Sequence, residues 1–160
     1  MSPALLILWH SRTGAARALA QAAHAAAGSD ARLLAADAAG AGDLLAASAY
    51  LFVCPENLGG LTGPMKDLFD RCYYPLLGQI EGRAYATIIA AGSAGQGAEA
   101  QLDRIVTGWR LKRVAAGVIV NLGAQTPQAI LAEKSVSPAA LDQAAELGAA
   151  LAEGVALGVF

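Results

Sequence analysis

Five short apolar runs alternate with helix-like stretches along this chain, and that alternation restricts the fold more than any single motif does. Ala4–His10 (ALLILWH), Ala31–Ala36, Ala49–Cys54 (AYLFVC), Ala84–Ala91 (AYATIIAA) and Val114–Val120 (VAAGVIV) read as strands. The first is almost wholly apolar, as strands buried on both faces are. Pro55 is expected to stop the third. Gly14–Ala27, Thr62–Tyr73, Gly97–Leu111 and Ser137–Glu153 read as helices, with Asp43–Ala47 at most a short one. Thr62 and Ser137 are the expected N-caps, with Pro64 and Pro138 in the first turns. Met65, Leu68, Phe69 and Cys72 fall on one face of their helix. Alternation of this kind builds right-handed crossovers on a parallel sheet. The expected architecture is α/β, a doubly wound five-stranded parallel sheet in the order 2-1-3-4-5 with helices on both faces. It would fill a single domain over residues 1–160. Ligands of such sheets bind beyond the carboxyl ends of the strands, beside strands 1 and 3. Function is therefore expected in the loops after Trp9, Cys54 and Ala91.

Composition narrows the partners. The chain is 56% hydrophobic and 15% charged, apolar enough for a large buried core. A formal net charge of -2 leaves no basic surplus for a nucleic-acid backbone. It is also short of the acidic surplus expected of a carrier that docks on basic partners. Cys54 and Cys72 do not make a disulfide framework, which points to a reducing, cytoplasmic setting. Mean hydropathy of +0.45 is carried largely by Ala. The run Ala4–Trp9 is too short for a signal peptide or a membrane span, so no membrane partner is expected. His10 and His24 form no ligand cluster with the cysteines, so no metal is expected. No G-x-S-x-G element is present to suggest a hydrolase.

The first loop runs His10-Ser11-Arg12-Thr13-Gly14-Ala15-Ala16. The hydroxyls of Ser11 and Thr13 can donate to phosphate oxygens. Gly14 allows close backbone approach, and the helix start adds N–H groups with partial positive charge. The same residues can equally serve as an ordinary helix cap. Neither the Gly-Lys-Ser/Thr of a P-loop nor G-x-G-x-x-G is present, because position 12 is Arg. The second loop, from Pro55-Glu56-Asn57-Leu58-Gly59-Gly60, is shaped by Gly and Pro and can turn backbone polar groups toward a ring edge. The third contains Gly92, Ser93, Gly95, Gln96 and Gly97, and offers backbone amides at the same sheet edge. Either loop is also consistent with a plain connection.

Leu8 to Gly14 resembles the flavodoxin-type phosphate loop, an apolar strand followed by Ser/Thr-x-Thr-Gly-x-Thr. Ala16 stands where that pattern ends in Thr. Pro55, Gly59, the run Gly63-Pro64-Met65-Lys66 and the step Phe69-Asp70 resemble flavodoxin-like NAD(P)H-dependent reductases. These include FMN reductases and the quinone reductases related to the Trp-repressor-binding protein. The resemblance implies an FMN flavoprotein. The ribityl phosphate would lie on His10, Ser11, Arg12, Thr13, Gly14, Ala15 and Ala16. The ring would lie against Pro55, Glu56, Asn57, Leu58, Gly59 and Gly60, and against Gly92, Ser93, Gly95, Gln96 and Gly97. It further implies an oxidoreductase with NADPH or NADH as transient co-substrate. Hydride would pass to the flavin and on to a quinone or similar small-molecule acceptor. A homodimer is implied as well, and no side chain is implied as catalytic acid or base. Two alternatives stand beside this one. The first is a flavodoxin-type FMN carrier for electron transfer. The second is a flavin-free interaction module of the same fold, motivated by Ala16 and by Leu58 where some relatives carry an aromatic.

Overall fold

The computed structural model describes residues 4–160, and in it the apolar runs pair as a parallel sheet. The strands are β1 (Leu5–Trp9), β2 (Ala31–Ala35), β3 (Ala49–Asn57), β4 (Gly60–Leu61), β5 (Ala84–Ala91), β6 (Lys112–Arg113) and β7 (Val118–Asn121). The helices are α1 (Ala15–Ala27), α2 (Ala41–Ala46), α3 (Gly63–Leu76), α4 (Gln96–Gly108), α5 (Pro127–Leu131) and α6 (Pro138–Leu157). The order is β2-β1-β3-β5, and β6 and β7 both pair with the far edge of β5. This is the flavodoxin-like 2-1-3-4-5 arrangement with its fifth strand in two pieces.

Alternate residues of each strand feed two apolar layers, which is why both faces carry helices. Leu6, Leu8, Tyr50, Phe52 and Cys54 pack toward α2, α3 and α4. Leu5, Ile7, Ala49, Leu51 and Val53 pack toward α1 and α6. The fully buried aromatic side chains gather in the first layer. Phe52 lies 5.3 Å from Phe69, and Phe69 lies 5.4 Å from Trp109, ring centre to ring centre. The second layer is lined by Ala15, Ala16, Ala20 and Ala23, so the Ala bias of α1 brings it close to the sheet. Met65, Leu68, Phe69 and Cys72 form the buried face of α3, as their spacing indicates.

The helix ends shift by three or four residues, with α3 running on to Leu76, α4 stopping at Gly108 and α6 running on to Leu157. Two strand boundaries differ from expectation, each for a physical reason. Pro55 does not stop β3. It pairs with Ala90 of β5, and the strand continues to Asn57. Its missing N–H faces the side of β1, and β1 has already ended opposite Val53, so no ladder bond is lost. The expected strand Val114–Val120 is broken before Val118. Three steps along β5, from Tyr85 to Ile88, are matched by five on the other side, from Arg113 to Val118. The surplus residues leave the sheet where Arg113 turns inward. Arg113 donates to Thr87 Oγ1 at 2.9 Å and pairs with Asp103, with its guanidinium 5.0 Å from the centre of the Tyr85 ring. Its neighbours Arg110 and Lys112 are exposed.

Candidate functional site

The loops after β1, β3 and β5, together with the segment after β7, enclose a cavity of about 520 Å³ at the carboxyl edge of the sheet. Twelve residues expected in the site line it: Ser11, Arg12, Thr13, Ala15, Ala16, Pro55, Glu56, Asn57, Leu58, Gly59, Gly92 and Ser93.

Its first end is the β1–α1 loop. Gly14 sits at the helix N-cap with φ of +101°, a backbone state that L side chains rarely adopt. The Ser11 hydroxyl accepts from the Gly14 N–H at 3.0 Å, which closes the loop on itself. No side chain among the described residues caps α1, so its opening N–H groups face the loop with their share of the helix dipole. The Thr13 hydroxyl, half-buried, receives a hydrogen bond from Lys134 Nζ at 3.3 Å.

The second loop is a hairpin. Asn57 pairs with Gly60, and Leu58 and Gly59 between them both have positive φ, +53° and +78°. A two-residue turn with this sign matches strand twist, and Gly suits it. Leu58 does not, at a cost of about 1–2 kcal/mol. Its side chain is fully exposed at the cavity mouth. The hairpin is held to the start of α4. Glu56 Oε1 accepts from the Gly95 N–H and Oε2 from the Ala98 N–H, each at 3.0 Å. Gln101 Oε1 accepts from the Leu61 N–H at 2.7 Å.

The third loop is tied to the segment after β7. The Ala124 N–H donates to Gly92 O at 2.9 Å, and Asn121 Nδ2 donates to Ser93 O at 2.6 Å. Between the loops the cavity is lined by Ala90, Ala91, Leu122 and Ala124. It therefore has a donor-rich end and an apolar slot. That arrangement suits an elongated ligand with an anionic group at one end and a flat apolar body at the other.

Six expected residues lie outside this cavity: His10, Gly14, Gly60, Gly95, Gln96 and Gly97. Gly14 borders a smaller neighbouring cavity of about 340 Å³ with Trp9, Arg12, Arg17 and Glu133. His10 turns away from the loop. Its Nδ1 shares a 2.8 Å hydrogen bond with Thr62 Oγ1, so Thr62 occupies the N-cap position of α3 without using its hydroxyl as a cap. Gly60 and Gly97 serve the packing of the hairpin on α4, Gly95 lets the start of α4 lie close against Ile119 and Ala91, and Gln96 opens that helix on an exposed face.

The residues that sequence reading missed are Ala90, Ala91, Leu122, Ala124, Ile130, Leu131 and Lys134. The last three come from α5 and the turn after it. Thr126-Pro127 was the available signal, a cap followed by Pro at the first helical position. Thr126 Oγ1 indeed accepts from the Ala129 N–H at 3.2 Å.

Burial, and then the nearby Arg12 guanidinium, lower the His10 pKa from its ordinary value; Asp37 opposes this more weakly. The unfolded chain therefore binds a proton near pH 6.5 that the folded chain resists. Stability is expected to be full above that pH and to decline as pH falls through it. His10→Asn should decline less between pH 7 and pH 5 in urea titrations, and equal declines would show that His10 does not set this slope. Burial alone pushes the Cys54 thiol up to about 12, so it is no nucleophile at neutral pH. Among the described residues no group of His, Cys, Asp and Glu is placed to hold a metal ion. No helix among them is long and apolar enough to cross a membrane.

Comparison with protein families gives a match over residues 38–126, more than half the chain, to the model described as NADPH-dependent FMN reductase. Among solved structures, the fold is similar to that of a flavodoxin, WrbA-like protein from Agrobacterium tumefaciens. The TM-score is 0.72 at 22% identity, over 98% of this chain and 99% of that one. A flavodoxin from the domain Archaea superposes with a TM-score of 0.74 at 15% identity, over 94% of this chain and 97% of that one. Rubredoxin oxygen:oxidoreductase from Desulfovibrio gigas gives 0.77 at 13% identity, over 99% of this chain but 38% of the other. Comparison with curated proteins gives no significant match.

Proposed function

The chain belongs to the NADPH-dependent FMN reductase family, and from that premise we propose that it holds FMN in the larger cavity and works as a flavodoxin-like redox protein. One observation carries this reading. A single cavity of about 520 Å³ joins the uncapped start of α1 to a slot lined by Ala90, Ala91, Leu122 and Ala124. That volume lies within the range of cofactor sites, and the donor set fits a phosphate at one end and a ring at the other.

When bound, FMN supplies the hydride and electron transfer that no side chain here can perform. The chain binds and orients. The hydroxyls of Ser11 and Thr13 and the first N–H groups of α1 hold the phosphate. Pro55 to Gly59 and Gly92-Ser93 border the ring, and Leu58 stands at the mouth. Without a hydroxyl at position 16, one ordinary phosphate contact is missing, a loss of about 0.5–1.5 kcal/mol.

The finer reading is an NAD(P)H-dependent oxidoreductase that passes hydride from nicotinamide to FMN and on to a quinone or similar small acceptor. The family match supports its NADPH-to-FMN step. The second reading is a flavodoxin-type electron carrier. It is favoured by the likeness in fold to flavodoxins over nearly their whole length. The connection Gly92–Gly95 is also too short to build a substrate lid. Anaerobic addition of NADPH or NADH to the FMN-loaded protein separates the two. Rapid bleaching of the flavin band supports the reductase; a bound flavin that no nicotinamide reduces moves the assignment to the carrier.

A dimer is part of the reductase reading. Tyr73 and Tyr74 stack at 5.0 Å on α3 and are exposed together with Leu77. Light scattering at micromolar concentration should give twice the chain mass, and a monomeric mass would remove this element.

A further inference from the structure

Among the described residues at the cavity's donor end, Lys134 is the one that comes from the far side of the chain. Its backbone N–H donates to Thr13 O at 2.8 Å, which pins the turn after α5 to the β1–α1 loop. Its ammonium donates to Ile130 O at 2.8 Å and Ala132 O at 2.5 Å, and more weakly to Thr13 Oγ1 at 3.3 Å. The carbonyls thus hold the ammonium against the first loop. No carboxylate among the described residues lies within ion-pair distance of it. The neighbouring Glu133 borders the smaller cavity behind the loop, with Arg12 and Arg17, and not the cavity that Lys134 lines. A half-buried cation without a counter-charge, facing the same cavity as Ser11, Thr13 and Ala16, can meet an anion by exchanging its weakest bond, the 3.3 Å contact to Thr13 Oγ1.

We propose that Lys134 is a ligand of the cofactor phosphate and takes over the role of the hydroxyl absent at position 16. The inference rests on the FMN reading above and deepens it: the segment after β7 becomes a fourth wall of the phosphate site. An ammonium–phosphate contact is stronger than the neutral hydroxyl contact it replaces. It also makes the preference for FMN over riboflavin depend on one side chain. The competing role for Lys134 is purely structural, satisfying the last carbonyls of α5.

The test compares FMN with riboflavin, which lacks the phosphate, in fluorescence titrations of the wild type, Lys134→Met and Lys134→Arg. Lys134→Met should weaken FMN by about 10- to 100-fold, leave riboflavin within about twofold, and flatten the salt dependence of FMN binding. Lys134→Arg should restore most of the FMN affinity. Equal losses for both flavins would mean that Lys134 only supports α5, and an unchanged FMN affinity would also overturn the proposal. In either case a wild type that prefers FMN leaves the cofactor reading intact. A wild type that binds neither flavin overturns both. If Lys134→Met does not fold, acetylation of the wild-type protein read by mass spectrometry decides. FMN should protect Lys134 and riboflavin should not, and equal labelling would refute the assignment.

Discussion

Replacing Gly97 by Ala should distort the cavity from outside it. Gly97 lies in the first turn of α4 directly beneath the hairpin. A Cβ there would fall 2.9 Å from the Gly59 carbonyl carbon, closer still to its oxygen, and 3.2 Å from Glu56 Oε2. The obstacle is backbone, so no rotamer change relieves it. Either α4 or the hairpin must move. Overpacking of this kind costs about 1–3 kcal/mol. In a domain of this size each kcal/mol lowers Tm by about 2–4 °C. The displaced segment includes Leu58 and Gly59 at the cavity mouth, so FMN affinity should fall about tenfold or more as preorganisation is lost. Thermal melts and flavin titrations on the same preparation check both effects. A normal melt with normal FMN affinity would show that the hairpin yields freely and that its packing on α4 is unimportant.

Glu56→Ala should act on the same junction through hydrogen bonds. The carboxylate takes the Gly95 and Ala98 N–H groups, which the start of α4 cannot satisfy internally. Bonds to a charged acceptor at a helix N-terminus are the stronger kind. Glu56 is only half-buried and water replaces part of what is lost, so a destabilisation of about 1–3 kcal/mol is expected. Glu56→Gln keeps one acceptor and should recover about half of it. Amide exchange gives the sharper signature. Gly95 and Ala98 should exchange faster in Glu56→Ala, with little change at Leu6 or Phe52 in the central strands. Uniform acceleration along the chain would instead mean that Glu56 contributes to global stability without fixing the loop.

These two residues also show how far the sequence could be read. Glu56 and Gly97 both stand at the carboxyl-edge junctions that the strand–helix alternation marks out, Glu56 near the end of β3 and Gly97 in the first turn of α4, and the resemblance puts both against the ring. The marking is local: an apolar run, a Gly-containing break, a helix start. Local pattern placed the sheet and its working edge because buried parallel strands and amphipathic helices are written in consecutive residues. The tasks of individual side chains are not. Glu56 reaches a helix start that lies about 40 residues further along the chain. His10 finds Thr62 across a comparable gap, and Thr62 gives up its cap for that bond. The split of the fifth strand depends on Arg113 turning in toward Thr87 and Asp103, which periodicity does not record. The wall formed by Leu122, Ile130, Leu131 and Lys134 has weak polarity patterning and one short helix. Its position is set by the backbone bonds to Thr13 and Gly92.

The most direct measurement is a difference-absorbance titration of the purified protein with FMN. The account predicts a saturable, one-to-one perturbation of the flavin bands, weakened in Gly97→Ala, whose substitution lies outside the cavity. An unperturbed spectrum at tens of micromolar FMN would contradict it, leaving a flavodoxin-like fold whose cavity serves something other than the cofactor.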